Sequence, residues 1–161
     1  FGTGRWAAAI EELSKVKSAG VRAVGIDVDI GRCLYEKGDK NTALAHFKAL
    51  ADRYPKDVSV LYDYAYVLIN MDSYGQAVEV LDRVCALNPQ YGQAAFALAC
   101  CHAALGQMNK AWPILTRLAS SHAAEMPDWL QGNEPYQEAI RKDPRYPELQ
   151  KSIEAARQGT P

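Results

Sequence analysis

Across 161 residues the sequence sets 18 Lys and Arg against 19 Asp and Glu, a formal net charge of −1. That balance lacks the basic field needed to hold nucleic acid or an anionic membrane surface, and a hydrophobic share of 48% is ample for burial, which argues against disorder. The longest near-apolar run, Ala94 to Leu105, contains His102 and is too short to span a bilayer.

The chain opens at Phe1 without an initiator Met or an apolar leader, as expected of a processed product or a piece of something longer. Gly4 stands 34 residues before Gly38, which predicts an interhelix turn there. Residues 1–23 then read as the second helix of a truncated leading repeat, helical over 6–18. In 24–57, Ile26, Ile30, Cys33 and Leu34 mark one helix face. Gly38-Asp39 breaks that helix, with Asp39 the N-cap of the next. Ala43, Leu44, Phe47, Leu50 and Ala51 give the next helix its stripe, and Pro55 closes it.

The same plan returns in 58–91. Leu61, Tyr64, Ala65 and Leu68 precede a turn at Asp72-Ser73, and Ala77, Val80, Leu81, Val84 and Cys85 run to Asn88-Pro89. In 92–125, Ala95, Leu98, Ala99 and His102 precede a turn at Gly106-Gln107, followed by Ala111, Leu115 and Leu118. Pro113 falls early in that last helix, where it is expected to be tolerated. Beyond about residue 125 the pattern fails among Pro127, Gly132, Pro135, Pro144 and Pro147. Residues 126–161 read as an irregular helical cap and tail. One short helix starts at Asn133 and Pro135 and runs to Ile140; a second starts at Asp143-Pro144 and carries Tyr146, Leu149 and Ile153. Residues 157–161 are expected to fray.

The period is strict. Ala9, Ala43, Ala77 and Ala111 recur every 34 residues, as do Leu13, Phe47, Leu81 and Leu115, and also Val16, Leu50, Val84 and Leu118. A fixed period of this size specifies stacked copies of one small unit. The pairs Gly31/Ala43, Ala65/Ala77 and Ala99/Ala111 let helices approach closely, and Phe47, Leu81 and Leu115 fill the space beyond. Each pair needs its neighbours to bury its apolar face.

These residues resemble the tetratricopeptide repeat, whose pattern is W-x2-L-G-x2-Y, then A-x3-F, then P. Ile30-Gly31-x2-Leu34, Ala43-x3-Phe47 and Pro55 match it, as do Tyr64-Ala65-x2-Leu68, Ala77-x3-Leu81 and Pro89. Leu98-Ala99-x2-His102 and Ala111-x3-Leu115 follow without a closing proline, and the Trp slot holds Asp27, Leu61 and Ala95. The resemblance covers residues 4–125. It implies an all-α, right-handed solenoid of stacked antiparallel helix pairs, ending here in a C-terminal capping segment. Its concave groove would be lined by the first helix of each unit and hold a peptide from a partner protein.

The groove slots so implied are Val28, Asp29, Arg32, Tyr35 and Glu36, then Tyr62, Asp63, Tyr66, Ile69 and Asn70, then Phe96, Ala97, Cys100, Ala103 and Ala104. The family's carboxylate clamp of Lys, Arg and Asn is not reproduced, since Arg32 and Asn70 alone are of a suitable type. Tyr62, Tyr66 and Ile69 fall about 80–140° from the stripe Leu61–Ala65–Leu68 and so leave the core face. Aromatic rings beside Asp29, Glu36 and Asp63 suit an apolar peptide bearing Lys or Arg. The same rings could instead serve only to pack successive first helices. The stretch Leu81-x3-Cys85-Ala-Leu, with Phe96-x-Leu98-x2-Cys101 and Ala104-Leu-Gly106, also looks like the class II chaperones of type III secretion, which hold translocator peptides.

No catalytic motif, metal-ligand cluster or cofactor loop is recognisable, and His46, His102 and His122 are scattered. His102 takes the slot usually given to Tyr, which predicts a buried, hydrogen-bonded imidazole. Cys33, Cys85, Cys100 and Cys101 show no CxxC pairing, so a reducing, cytoplasmic setting is expected. The reading is a non-enzymatic scaffold or adaptor for a protein partner, without nucleic acid, membrane or cofactor. The alternative is a regulatory or self-association module of a larger enzyme or transcription regulator, using an open N-terminal end around Trp6 and Ile10.

Overall fold

In the computed structural model, residues 3–20, 24–132 and 134–159 are described. All of the regular structure among them is helical. The chain divides into two units, Phe1–Ser73 and Tyr74–Pro161, and the division falls within the stretch read above as one repeat, 58–91.

The N-terminal unit holds α1 (Thr3–Ser18), α2 (Val24–Glu36), α3 (Lys40–Arg53) and α4 (Val58–Ile69). Helix α2 packs against α1, α3 and α4, and α3 packs against α4. Its boundaries follow side-chain chemistry. Asp39 accepts from the Thr42 amide at 3.3 Å, while Asp57 accepts from the Ser59 and Val60 amides at 3.0 and 3.1 Å, satisfying first-turn donors of α3 and α4. Gly4, read from the period as a turn residue, lies inside α1 instead. No side chain crowds it there.

Helix α1 is tied to α2 by Lys17 Nζ, which donates to the Asp27 carboxylate at 2.5 Å. Asp27 is buried, and the His46 Nε2 lies 2.7 Å from its backbone oxygen. The Trp slot of the repeat pattern has thus become a polar tie. Between α2 and α3 the approach is tight: a Cβ on Gly31 would sit 2.6 Å from Phe47 Cζ. Phe47 fills the space that Gly31 leaves, as the spacing predicts.

The C-terminal unit holds α5 (Tyr74–Leu87), α6 (Gly92–Ala104), α7 (Met108–Ser121), α8 (Met126–Leu130), α9 (Pro135–Lys142) and α10 (Tyr146–Arg157). Helix α6 packs between α5 and α7, α9 lies on α6, and α10 lies on α7. Helix α7 runs through Pro113, which is exposed. Pro113 is the sixth residue of that helix, further in than the first turn, and one amide bond to the Asn109 carbonyl is lost there.

Turns 34 residues apart share one geometry. Gly38, Asp72 and Gly106 have φ of 94°, 56° and 70°. The next amide in each, on Asp39, Ser73 or Gln107, reaches back to the carbonyl of Leu34, Leu68 or His102 at 2.8–3.1 Å. This six-to-one bond is the left-handed helix stop. Asp72 shows that the backbone of this turn is kept even where glycine is not.

The C-terminal helices differ from expectation in two places. Helix α8, with Met126 and Leu130 buried, is too short to show a period. Helix α10 starts at Tyr146 rather than at Asp143-Pro144, because the Asp143 carboxylate is taken by the Arg145 amide at 3.0 Å and its guanidinium at 2.8 Å. Asn133 and residues 160–161, which entered the reading of this region, lie outside the described residues. Met126, Leu130, Ile140, Leu149 and Ile153 join Phe96, Cys100 and Leu115 in one buried core.

Candidate functional site

Helices α1, α2 and α4 enclose a cleft of about 730 Å³ in the N-terminal unit. Seven of the residues assigned to a groove from the sequence line it: Asp29, Arg32, Tyr35 and Glu36 from α2, and Tyr62, Asp63 and Tyr66 from α4. They converge because α2 and α4 lie side by side with their equivalent faces turned the same way. Ile69 is half-buried and Asn70 exposed. Both sit outside the lining, and the Asn70 amide nitrogen donates to the Tyr66 carbonyl at 2.8 Å. Trp6 and Leu13 of α1, with Cys33, Phe47 and Val67, complete the walls. Trp6 and Leu13 are seven residues apart, two turns along one face of α1, and this spacing was the available signal. The sequence placed Leu13 only in the 34-residue series with Phe47, Leu81 and Leu115, and Trp6 at an open end.

Its charges are organised around one ion pair. Arg32 Nη2 and Nε donate to both oxygens of Asp63 at 2.9–3.3 Å, and Asp29 stands 3.8 Å from Nη1. Burial raises the Asp63 carboxyl above its ordinary value, and the bond from Arg32 offsets only part of that rise. Asp29, Glu36 and Asp63 outnumber Arg32, so the lining carries excess negative charge. Tyr35 and Tyr66 meet edge to face at 5.6 Å, and Lys40 Nζ lies 5.8 Å from the Tyr35 ring centroid. These rings pack between first helices and still face solvent, with Tyr66 at 49% exposure.

Four assigned residues, Val28, Phe96, Cys100 and Ala103, are corrected by burial, Ala103 at 6% exposure lying in the core of the C-terminal unit. Val28 is 5% exposed, because α2 is covered by α1, α3 and α4 and keeps only a narrow open strip. Phe96 and Cys100 are buried by the chain's own C-terminal segment, which lies on the face of α6 expected to be open. The Phe96 ring meets Trp129 at 5.5 Å, and Trp129 meets His122 at 5.8 Å. A Cβ on Gly92 would collide with that His122 ring at 2.5 Å. Burial pushes the Cys100 thiol well above its ordinary value, with Cys101 adding to the rise. Neither condition suits a nucleophile.

His102 is buried, with Nδ1 3.0 Å from Gln107 Oε1, as its slot predicts. All four cysteines are free. Among the described residues no group of three His, Cys, Asp or Glu side chains is placed to hold a metal ion, and no helix is long and apolar enough to cross a membrane.

Helical hairpins with a shared turn geometry and Gly/Phe or Ala/Leu interlocking define an all-α repeat protein. Tetratricopeptide repeat models match residues 1–58 and 34–84. The chain belongs to the tetratricopeptide repeat family. Solved structures with a similar fold include MamA, with 20% identity over 96% of this chain and 88% of that chain and a TM-score of 0.69. The AMB-1 form of MamA gives 17% identity, 96% and 82% coverage, and a TM-score of 0.64. TTC0263, a thermophilic TPR protein of Thermus thermophilus, gives 18%, 96% and 92%, and 0.59. A comparison with curated proteins finds no match. Repeats of this family are generally non-enzymatic protein-interaction modules, and the chain is a protein-interaction scaffold on that ground.

Proposed function

We propose that the cleft of the N-terminal unit binds a peptide segment of a partner protein that presents an aromatic or large aliphatic side chain next to a Lys or Arg. The observation that carries this reading is the cleft itself: Trp6, Tyr35, Tyr62 and Tyr66 surround it while Asp29 and Glu36 stand at its rim. The rings offer apolar area at low entropic cost, and the carboxylates steer a cation and fix its register. Asp63, already held by Arg32, positions the guanidinium, so a cationic ligand meets Asp29 and Glu36 first. No open slot remains at Phe96 or Cys100, because α9 closes that face of α6.

Tyr62→Ala combined with Tyr66→Ala removes the two α4 rings, and capture of the partner falls at least about tenfold while helicity is kept. Full capture by a folded double variant overturns the cleft assignment. A second reading, self-association through α1, rests on the absence of any fully buried residue from Gly4 to Ser18 and on Val16 at 43% exposure. Light scattering at several concentrations distinguishes the two, because peptide capture alone leaves the protein monomeric.

A further inference from the structure

A separate cleft of about 510 Å³ lies wholly within the C-terminal unit, among α8, α9 and α10. Tyr146, Gln150, Ile153 and Arg157 fall at i, i+4, i+7 and i+11 of α10 and form one wall. Buried Leu130 and Ile153 give it an apolar floor. On the facing side Arg141 is half-buried, and its Nη1 donates to the Leu130 carbonyl at 2.6 Å and the Gly132 carbonyl at 2.7 Å. Those two bonds fix the guanidinium in place without neutralising it. Among the described residues no carboxylate lies within ion-pair distance of Arg141 or Arg157. Glu154 is the one acid in the lining, so two guanidinium groups face a single carboxylate.

We propose that this cleft is a second peptide-binding site, taking the carboxylate of an Asp or Glu side chain from an acidic segment, with a neighbouring aliphatic side chain seated on Leu130 and Ile153. A guanidinium held by one nitrogen keeps its other edge free for a two-point grip on a carboxylate. Arg157 adds charge from the exposed end of α10, and Gln150 adds a neutral donor. The selectivity is opposite in sign to that of the aromatic cleft, so this site stands or falls independently of it.

The test is an amide chemical-shift titration of the full chain with a capped pentapeptide carrying adjacent Leu and Glu, at low salt. Shifts gathering on α8, on α10 and around Arg141 support the site, and Gln in place of the peptide Glu should weaken binding about tenfold. Arg157→Gln should weaken it about two- to fivefold, and Glu154→Gln should tighten it by a similar factor, since both groups are exposed. Neither substitution removes a hydrogen bond or ion pair shown by the structure, so folding is not at stake. Equal binding of the Gln peptide, shifts confined to other helices, or glutarate binding as tightly as the peptide each overturns the proposal.

Discussion

Gly31→Ala tests whether the interlocking of α2 and α3 sets the N-terminal unit. In an exposed helix interior the change stabilises by about 1 kcal/mol, because glycine loses more backbone freedom on folding. Here the new Cβ would lie 2.6 and 2.8 Å from Phe47 Cζ and Cε2 and 3.0 Å from His46 Cδ2. Phe47 is 1% exposed and has nowhere to retreat. Overpacking of this kind costs about 1–3 kcal/mol, so the net change is a loss of up to about 2 kcal/mol. Phe47→Leu opens a small cavity and alone costs about 1–2 kcal/mol. In the Phe47→Leu background the two ring contacts are gone and the His46 contact at 3.0 Å remains, so Gly31→Ala should now be near neutral or stabilise by up to about 1 kcal/mol. The C-terminal unit already carries that combination, with Ala99 and Leu115 both fully buried. Urea denaturation of the four proteins by far-UV circular dichroism gives the coupling energy, expected at about 1–3 kcal/mol. Additive effects, with Gly31→Ala equally harmful in both backgrounds, refute the reasoning.

Asp57→Ala removes the acceptor for two first-turn amides of α4 and should cost about 1 kcal/mol by the same assay, while Asp57→Asn keeps most of that stability. Asp63 makes a pH prediction. Burial holds its folded pKa above the unfolded value, so the native state binds the proton more tightly. Ionising Asp63 therefore costs native stability: the cost is absent below the unfolded pKa and complete above the folded one. The stability of Asp63→Asn relative to the parent should then improve as pH rises from the ordinary carboxylate value through the raised folded one. A difference that stays constant over that range contradicts the burial argument.

The repeat was legible because its three signals are local and periodic. The left-handed stop at residues 38, 72 and 106, the small residues at 31, 65 and 99, and the large ones at 47, 81 and 115 each follow the 34-residue step. His102 was legible for the same reason, since its slot dictates burial. The face of the cleft on α4 followed from helix period, and the slots on α2 from the family resemblance. What the sequence concealed is how neighbouring elements cover each helix. Val28 points toward packed helices although its own period places it beside Asp29 and Arg32. Phe96 and Cys100 are closed over by a proline-rich segment whose helices are too short, or too interrupted, to show where they dock. Asp27 stands where the repeat pattern has Trp, and its pairing with Lys17 joins residues on separate helices that no periodicity relates.

Mapping of ligand contacts on the N-terminal unit tests the functional account most directly. An amide chemical-shift or hydrogen-exchange map is recorded for the full chain with a capped pentapeptide bearing adjacent Phe and Arg. Saturable changes at Trp6, Tyr35, Glu36, Tyr62 and Tyr66, weakened by Tyr66→Ala and by added salt, are the predicted result. Changes that gather outside α1, α2 and α4, or that persist undiminished in Tyr66→Ala, contradict it.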